Sequence, residues 1–166
     1  MRNYKLIYIT FAILFLVGCA TIEDQLAETE IVTNEAFEAG PKGVNIEEDE
    51  FTYFLPDSIE PESSDEFNII LTEGNQAYIL FVNAFEEKTS RILYESSLLD
   101  EQYLLNKTYE NEDSFGFILV YEIEEEQYEV VVGVGGTKLT TVTDKSKIAE
   151  SAEKMMLIAN SVRLKP

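Results

Sequence analysis

No histidine occurs anywhere in these 166 residues, and Cys19 is the only cysteine. Those two absences remove much chemistry at once. A Ser-His-Asp or Cys-His nucleophile, a histidine-ligated metal and an intrachain disulfide all need residues the chain does not have. Basic residues are also scarce, 12 against 32 acids, for a formal net charge of −20. A field of that sign repels phosphate backbones, which excludes nucleic acid as a partner. No cofactor and no dedicated metal site is expected.

Long hydrophobic runs are missing too, apart from one at the start. Leu6 to Val17 is apolar, follows Arg2 and Lys5, and is too short to cross a bilayer as a helix. It ends in Leu16-Val17-Gly18-Cys19. This pattern resembles the bacterial lipobox at all four positions. The resemblance implies that residues 1–18 are a signal peptide, that cleavage falls before Cys19, and that the Cys19 thiol carries a diacylglyceryl group. One acyl chain holds a protein only marginally, whereas two hold it durably at about 0.8 kcal/mol per buried methylene. The expected location is the outer face of a cell membrane, with the lipid as the membrane partner.

Removal of 18 residues leaves 148, enough for one domain and a tether. Acid is concentrated near the anchor: Cys19 to Glu66 has 15 acidic residues and one basic, Lys42, while Phe67 to Pro166 has 17 against nine. Residues 19–50 therefore read as a lipidated N-terminus and acidic tether, interrupted at Gly40-Pro41-Lys42-Gly43. Only a helical turn at Ile22, Leu26 and Ala27 is expected there. As a coil, some thirty residues would reach about 30 Å.

The folded domain is expected over 51–166. Glu50 to Leu55 alternates like a strand and stops at Pro56-Asp57. Phe67 to Leu71 and Ala77 to Val82 flank a Gly74-Asn75 turn and read as a hairpin. Glu86 to Asp100 fits both helix and strand spacing, with a lean to helix. Phe115, Phe117, Leu119, Tyr121 and Ile123 share one face of a strand whose other face carries Ile118 and Val120, the pattern of a central strand. Tyr128 to Val134 continues as a hairpin, and Lys138 to Thr143 as a further strand after Gly133, Gly135 and Gly136. Thr143 or Asp144 then caps a helix with Ile148, Ala152, Met155, Ala159 and Val162 on its apolar face. The fold class is α+β: an antiparallel sheet of about six strands covered by a C-terminal helix, with room for one more. In this order of elements the chain resembles the small sandwiches of the PsbP and Mog1 type and lipoprotein domains of Gram-positive bacteria. The resemblance implies a binding or accessory role in a Gram-positive envelope.

Few residues carry candidate chemistry. Ser151-Ala152-Glu153-Lys154 has the Ser-x-x-Lys spacing of penicillin-binding enzymes but none of their companion motifs. Gly133 to Lys138 superficially suggests a phosphate loop, yet its spacing is wrong and sheet geometry accounts better for the glycines. Acidic clusters at Glu47 to Glu50, Glu110 to Asp113 and Glu124 to Glu126 attract cations without matching a calcium loop. Thr137 to Pro166 runs against the overall charge, with Lys138, Lys145, Lys147, Lys154, Arg163 and Lys165 against three acids. Such an end suits an acidic partner or the acidic tether. The expectation is a lipid-anchored, non-enzymatic module that binds an envelope protein. The alternatives are capture of a peptide or lipid in an open groove between helix and sheet, or a minor hydrolase using Ser151 and Lys154.

Overall fold

The computed structural model describes residues 20–64, 68–98 and 102–165. The signal segment and Cys19, and also Phe67, Leu99 and Asp100 from the expected strand and helix, lie outside them.

The first element corrects the expected tether. Helix α1 spans Ile22–Glu38. Thr21 caps it: its hydroxyl accepts from Asp24 N at 3.2 Å, and the Asp24 carboxylate accepts from Thr21 N at 3.1 Å. This reciprocal pair satisfies two donors that a helix start otherwise leaves free. The buried stripe of α1 includes Gln25, Thr29, Thr33, Ala36 and Phe37. Thr29 and Thr33 donate back to the carbonyls of Gln25 and Thr29, each at 2.6 Å, so their hydroxyls tolerate burial. The folded unit thus begins at Thr21, not near residue 51.

Two sheets follow. Strands β1 (Ile46–Glu47), β2 (Phe51–Tyr53) and β10 (Arg163–Leu164) form a small sheet in the order β1-β2-β10. The main sheet has seven antiparallel strands: β3 (Glu60–Ser64), β4 (Asn68–Glu73), β5 (Gln76–Val82), β6 (Leu105–Glu110), β7 (Phe115–Glu124), β8 (Gln127–Val134) and β9 (Thr137–Asp144). Their order is β3-β4-β5-β9-β8-β7-β6. The β4–β5 hairpin turns at Gly74, where φ is +61°, and the β8–β9 hairpin at Gly135, where φ is +53°. Both are left-handed positions that suit glycine. Strand β7 is second from an edge rather than central. It is apolar on both faces because each face is covered.

The inner face packs on α3 (Ile148–Ser161) and α1. A 3-10 turn at Lys145–Lys147 precedes α3, so the helix starts later than its expected cap. Ile148, Ala152, Met155, Met156 and Ile158 are fully buried, so the apolar face of this helix is closed against the sheet. The cleft at its start, of about 140 Å³ between Glu73, Gln76 and Tyr78 and Lys147, Glu150 and Ser151, is mostly polar. On the outer face, a six-residue helix α2 (Ile92–Ser97) covers β7 and β8 through Leu93 and Tyr94, against Phe115, Phe117, Leu119 and Val131. The lean to helix in this segment holds for those six residues. The other half of the outer face stays bare, with Ile70, Ile79 and Val142 partly exposed.

Candidate functional site

Ser151 and Lys154 lie on one side of α3, and their partners define what they do. Lys154 Nζ donates to both oxygens of Glu73, at 2.7 and 2.8 Å, and to Glu150 Oε1 at 2.6 Å. Burial alone pulls the ammonium down, but the hydrogen bonds it donates to Glu150 and Glu73 outweigh it and hold Lys154 above the ordinary lysine value. A general base needs the opposite shift. Ser151 Oγ accepts from Gln76 Nε2 at 2.9 Å, and Gln76 also meets Thr141 at 3.2 Å and Thr143 at 3.3 Å. Tyr78 is pushed up to about 12, first by burial, and donates to Glu73 at 3.1 Å. These contacts tie α3 to the β4–β5 hairpin, making this a polar clasp rather than a nucleophile and its base.

The clasp predicts an acid sensitivity. Burial raises Glu73, yet hydrogen bonds from Lys154, Ser58 and Tyr78 together hold it below the ordinary glutamate value. A depressed carboxylate contributes stability that is complete above its unfolded value and disappears as pH falls through the folded one. Urea midpoints should therefore fall on acidification through and below the ordinary glutamate range, and less steeply in Glu73→Gln. Equal slopes would remove Glu73 from the account.

The glycines serve packing. A Cβ at Gly133 would lie 2.3 Å from the Phe117 ring, and one at Gly135 would lie 2.4 Å from Glu87 O. No phosphate cradle is involved. One acid in each of two clusters is paired: Glu47 meets Lys165 at 2.8 Å and Glu110 meets Arg91 at 2.7 Å. Among the described residues, no three acids gather to hold a metal ion. The basic end divides. Lys145 and Lys147 occupy the 3-10 turn, Lys154 is in the clasp, Lys138 donates to Ser97 Oγ at 3.4 Å, Arg163 opens β10 and Lys165 follows it. One expected pairing does form, since Lys165 binds Glu47 of the acidic N-terminal segment.

The two ends of the main sheet differ in chemistry. Glu30 pairs with Lys107 at 2.9 Å, Thr33 Oγ1 and Tyr109 OH are 2.6 Å apart, and the Phe37 ring lies against Gly116. With the strand register, these contacts place the start of α1 beside the Glu124–Gln127 and Gly74–Asn75 turns. That end carries Glu122, Glu124, Glu125, Glu126, Lys145 and Lys147. The opposite end, reached by Phe37, holds the Gly135–Gly136 turn, the loop after β5 and strand β10.

At this far end Phe85 is 90% exposed, the most exposed large hydrophobic side chain among the described residues. Scattered exposed hydrophobic residues are ordinary, but this one stands on a braced loop. Asn83 N donates to Gly136 O, Phe115 N donates to Lys88 O, both at 2.8 Å, and Glu86 N donates to Asn83 O at 3.2 Å. The loop walls a mostly apolar cavity of about 210 Å³ with Val82, Val134, Val162 and Leu164 on its other sides. Sequence reasoning missed this site, because its walls come from three separate stretches of chain. The one local signal was a lone aromatic inside the polar run Asn83-Ala84-Phe85-Glu86-Glu87-Lys88.

No protein-family model matches the chain, and no curated protein matches it. Among solved structures, the chain is similar to a crystal structure of a protein from Bacteroides thetaiotaomicron, with 9% identity and a TM-score of 0.34. The match covers 70% of this chain and 45% of that one. The chain therefore spans less than half the length of that structure, and a likeness of this degree carries no argument about function. No helix among the described residues is long and apolar enough to cross a membrane.

Proposed function

We propose that this protein is a lipid-anchored, extracytoplasmic binding module that holds an envelope protein partner at the far end of its sheet. The carrying observation is the exposed Phe85 on the loop that walls the apolar cavity, at the end opposite the start of α1. Only Ala20 and Thr21 separate Cys19 from α1, a span of about 7 Å when extended. A lipid on Cys19 would hold the charged end of the sheet at the membrane and turn the Phe85 end outward. The cavity is smaller than the roughly 300–1,000 Å³ typical of small-molecule pockets. It suits a single inserted side chain, which favours a protein partner over capture of a free ligand.

Burying an exposed phenylalanine contributes about 1.5–3 kcal/mol, or roughly ten- to a hundredfold in affinity. Phe85→Ser should keep the wild-type unfolding midpoint and lower in-cell crosslinking of the dominant partner at least about tenfold. Unchanged crosslinking would contradict the proposed binding end.

A further inference from the structure

The cavity has a second property, a pair of cations without a counter-ion. Lys88 and Arg163 both line it. Lys88 Nζ donates to the carbonyl of Asn160 at 2.7 Å, and among the described residues neither cation meets a carboxylate within ion-pair distance. Arg91, Lys107, Lys154 and Lys165 each do. Lys42, Lys138, Lys145 and Lys147 form no ion pair among the described residues either; what marks Lys88 and Arg163 is their closeness at one mostly apolar cavity. The cost appears at Lys88, held below the ordinary lysine value first by burial and then by the charge of Arg163. Glu86 and Glu87 share the loop wall without pairing to either cation.

Strand β10 supplies a third component. Among the described residues it pairs only with β2, Arg163 opposite Thr52, and Lys165 N donates to Glu50 O at 2.9 Å. Alternate residues of an antiparallel strand bond to the same neighbour, so the N–H and C=O of Leu164 turn away from β2. Backbone donors, an apolar chamber and two free cations thus converge.

We propose that the cavity receives the terminal carboxylate of an extended peptide chain whose last side chain is apolar. Arg163 and Lys88 take the carboxylate, Arg163 offering two parallel donors. Val82, Val134 and Val162 surround the terminal side chain, and the free edge of β10 pairs with the peptide backbone. Glu86 and Glu87 repel further acidic groups, which favours a single carboxylate. This inference rests on the far end being the binding end and names the chemistry it recognises. An aliphatic acid shares the carboxylate and the apolar group but lacks the backbone amide.

The test is a titration of the full chain in neutral detergent micelles, followed by ligand saturation transfer and by backbone amide shifts. N-acetyl-leucine should bind saturably in the millimolar range and shift amides around Lys88, Val134 and Leu164. N-acetyl-leucinamide, and N-acetyl-leucine with Arg163→Gln or Lys88→Gln, should bind at least about tenfold more weakly. The exposed Arg163 makes its variant a safe test of a folded protein. Equal binding of acid and amide, or no saturable binding of the acid, overturns the carboxylate site. Equal affinity for 4-methylpentanoate overturns the peptide source and assigns the site to aliphatic acids. If the titration fails while Phe85→Ser still abolishes partner crosslinking, this inference falls and the binding end stands.

Discussion

Replacing Cys19 by serine is expected to move nearly all of the protein out of the membrane fraction, either as released protein or as an unprocessed precursor. The expectation follows from the Leu16-Val17-Gly18-Cys19 pattern. No helix among the described residues is fit to span a bilayer, and the end of the sheet nearest the start of α1 is rich in glutamate, which anionic headgroups repel. The two acyl chains that the lipobox resemblance implies would supply durable attachment. Stability should not change, because the cap of α1 is made by Thr21 and Asp24. A Cys19→Ser protein that is processed and remains on the membrane would contradict the lipid anchor.

Phe37→Ala should cost about 3–5 kcal/mol of unfolding free energy, read from urea denaturation. Phe37 is 1% exposed, stacks on Tyr109 at 5.7 Å between ring centroids and lies against the bare backbone of Gly116. Asn160 Nδ2 donates to Phe37 O at 3.0 Å, binding the end of α1 to the end of α3. Removing the ring leaves a cavity between two helices and the sheet, with little means to collapse. The result discriminates sharply between a docked helix and a tether. Were residues 19–50 a coil, the substitution would change stability by a few tenths of a kcal/mol at most.

The hairpins and the last helix were legible because their residues follow their own periods. Gly74 marks a left-handed turn, and the buried face of α3 recurs at three- and four-residue steps from Ile148 to Ala159. Helix α1 was hidden by Gln25, Thr29 and Thr33, which occupy the buried stripe where a hydrophobic pattern would be sought. Their side chains are polar, but the threonine hydroxyls bond to the preceding turn, so burial does not require apolar residues there. The edge strands β3 and β6 escaped for a different reason. In β6 only Leu105 and Tyr109 are buried, and β3 contains Pro61 with a register shift between Pro61 and Ser63. An edge strand tolerates both features, because one side of its backbone has no partner. The far-end cavity was not legible at all, since Val82, Lys88, Val134 and Arg163 meet only through the sheet order.

The misread tether also changes the mechanical picture. A coil of thirty residues would let the domain present any face to the envelope. With α1 starting three residues after Cys19, a lipid on Cys19 would be nearly continuous with the rigid body and would give the chain a near end and a far end. The Ser151 and Lys154 pair belongs to the near half, clasped to Glu73, Gln76 and Glu150, where it fastens the helix to the hairpin. The far end holds the exposed Phe85 and, among the described residues, Lys88 and Arg163 without ion partners.

That polarity is the central claim, and residue-resolved photo-crosslinking in cells tests it most directly. A photoreactive amino acid is placed at position 85 or, for the near end, at position 75, in the otherwise native lipidated chain. The account predicts one saturable protein adduct from position 85 and none of that partner from position 75. The same partner captured from position 75 and not from position 85 would contradict it.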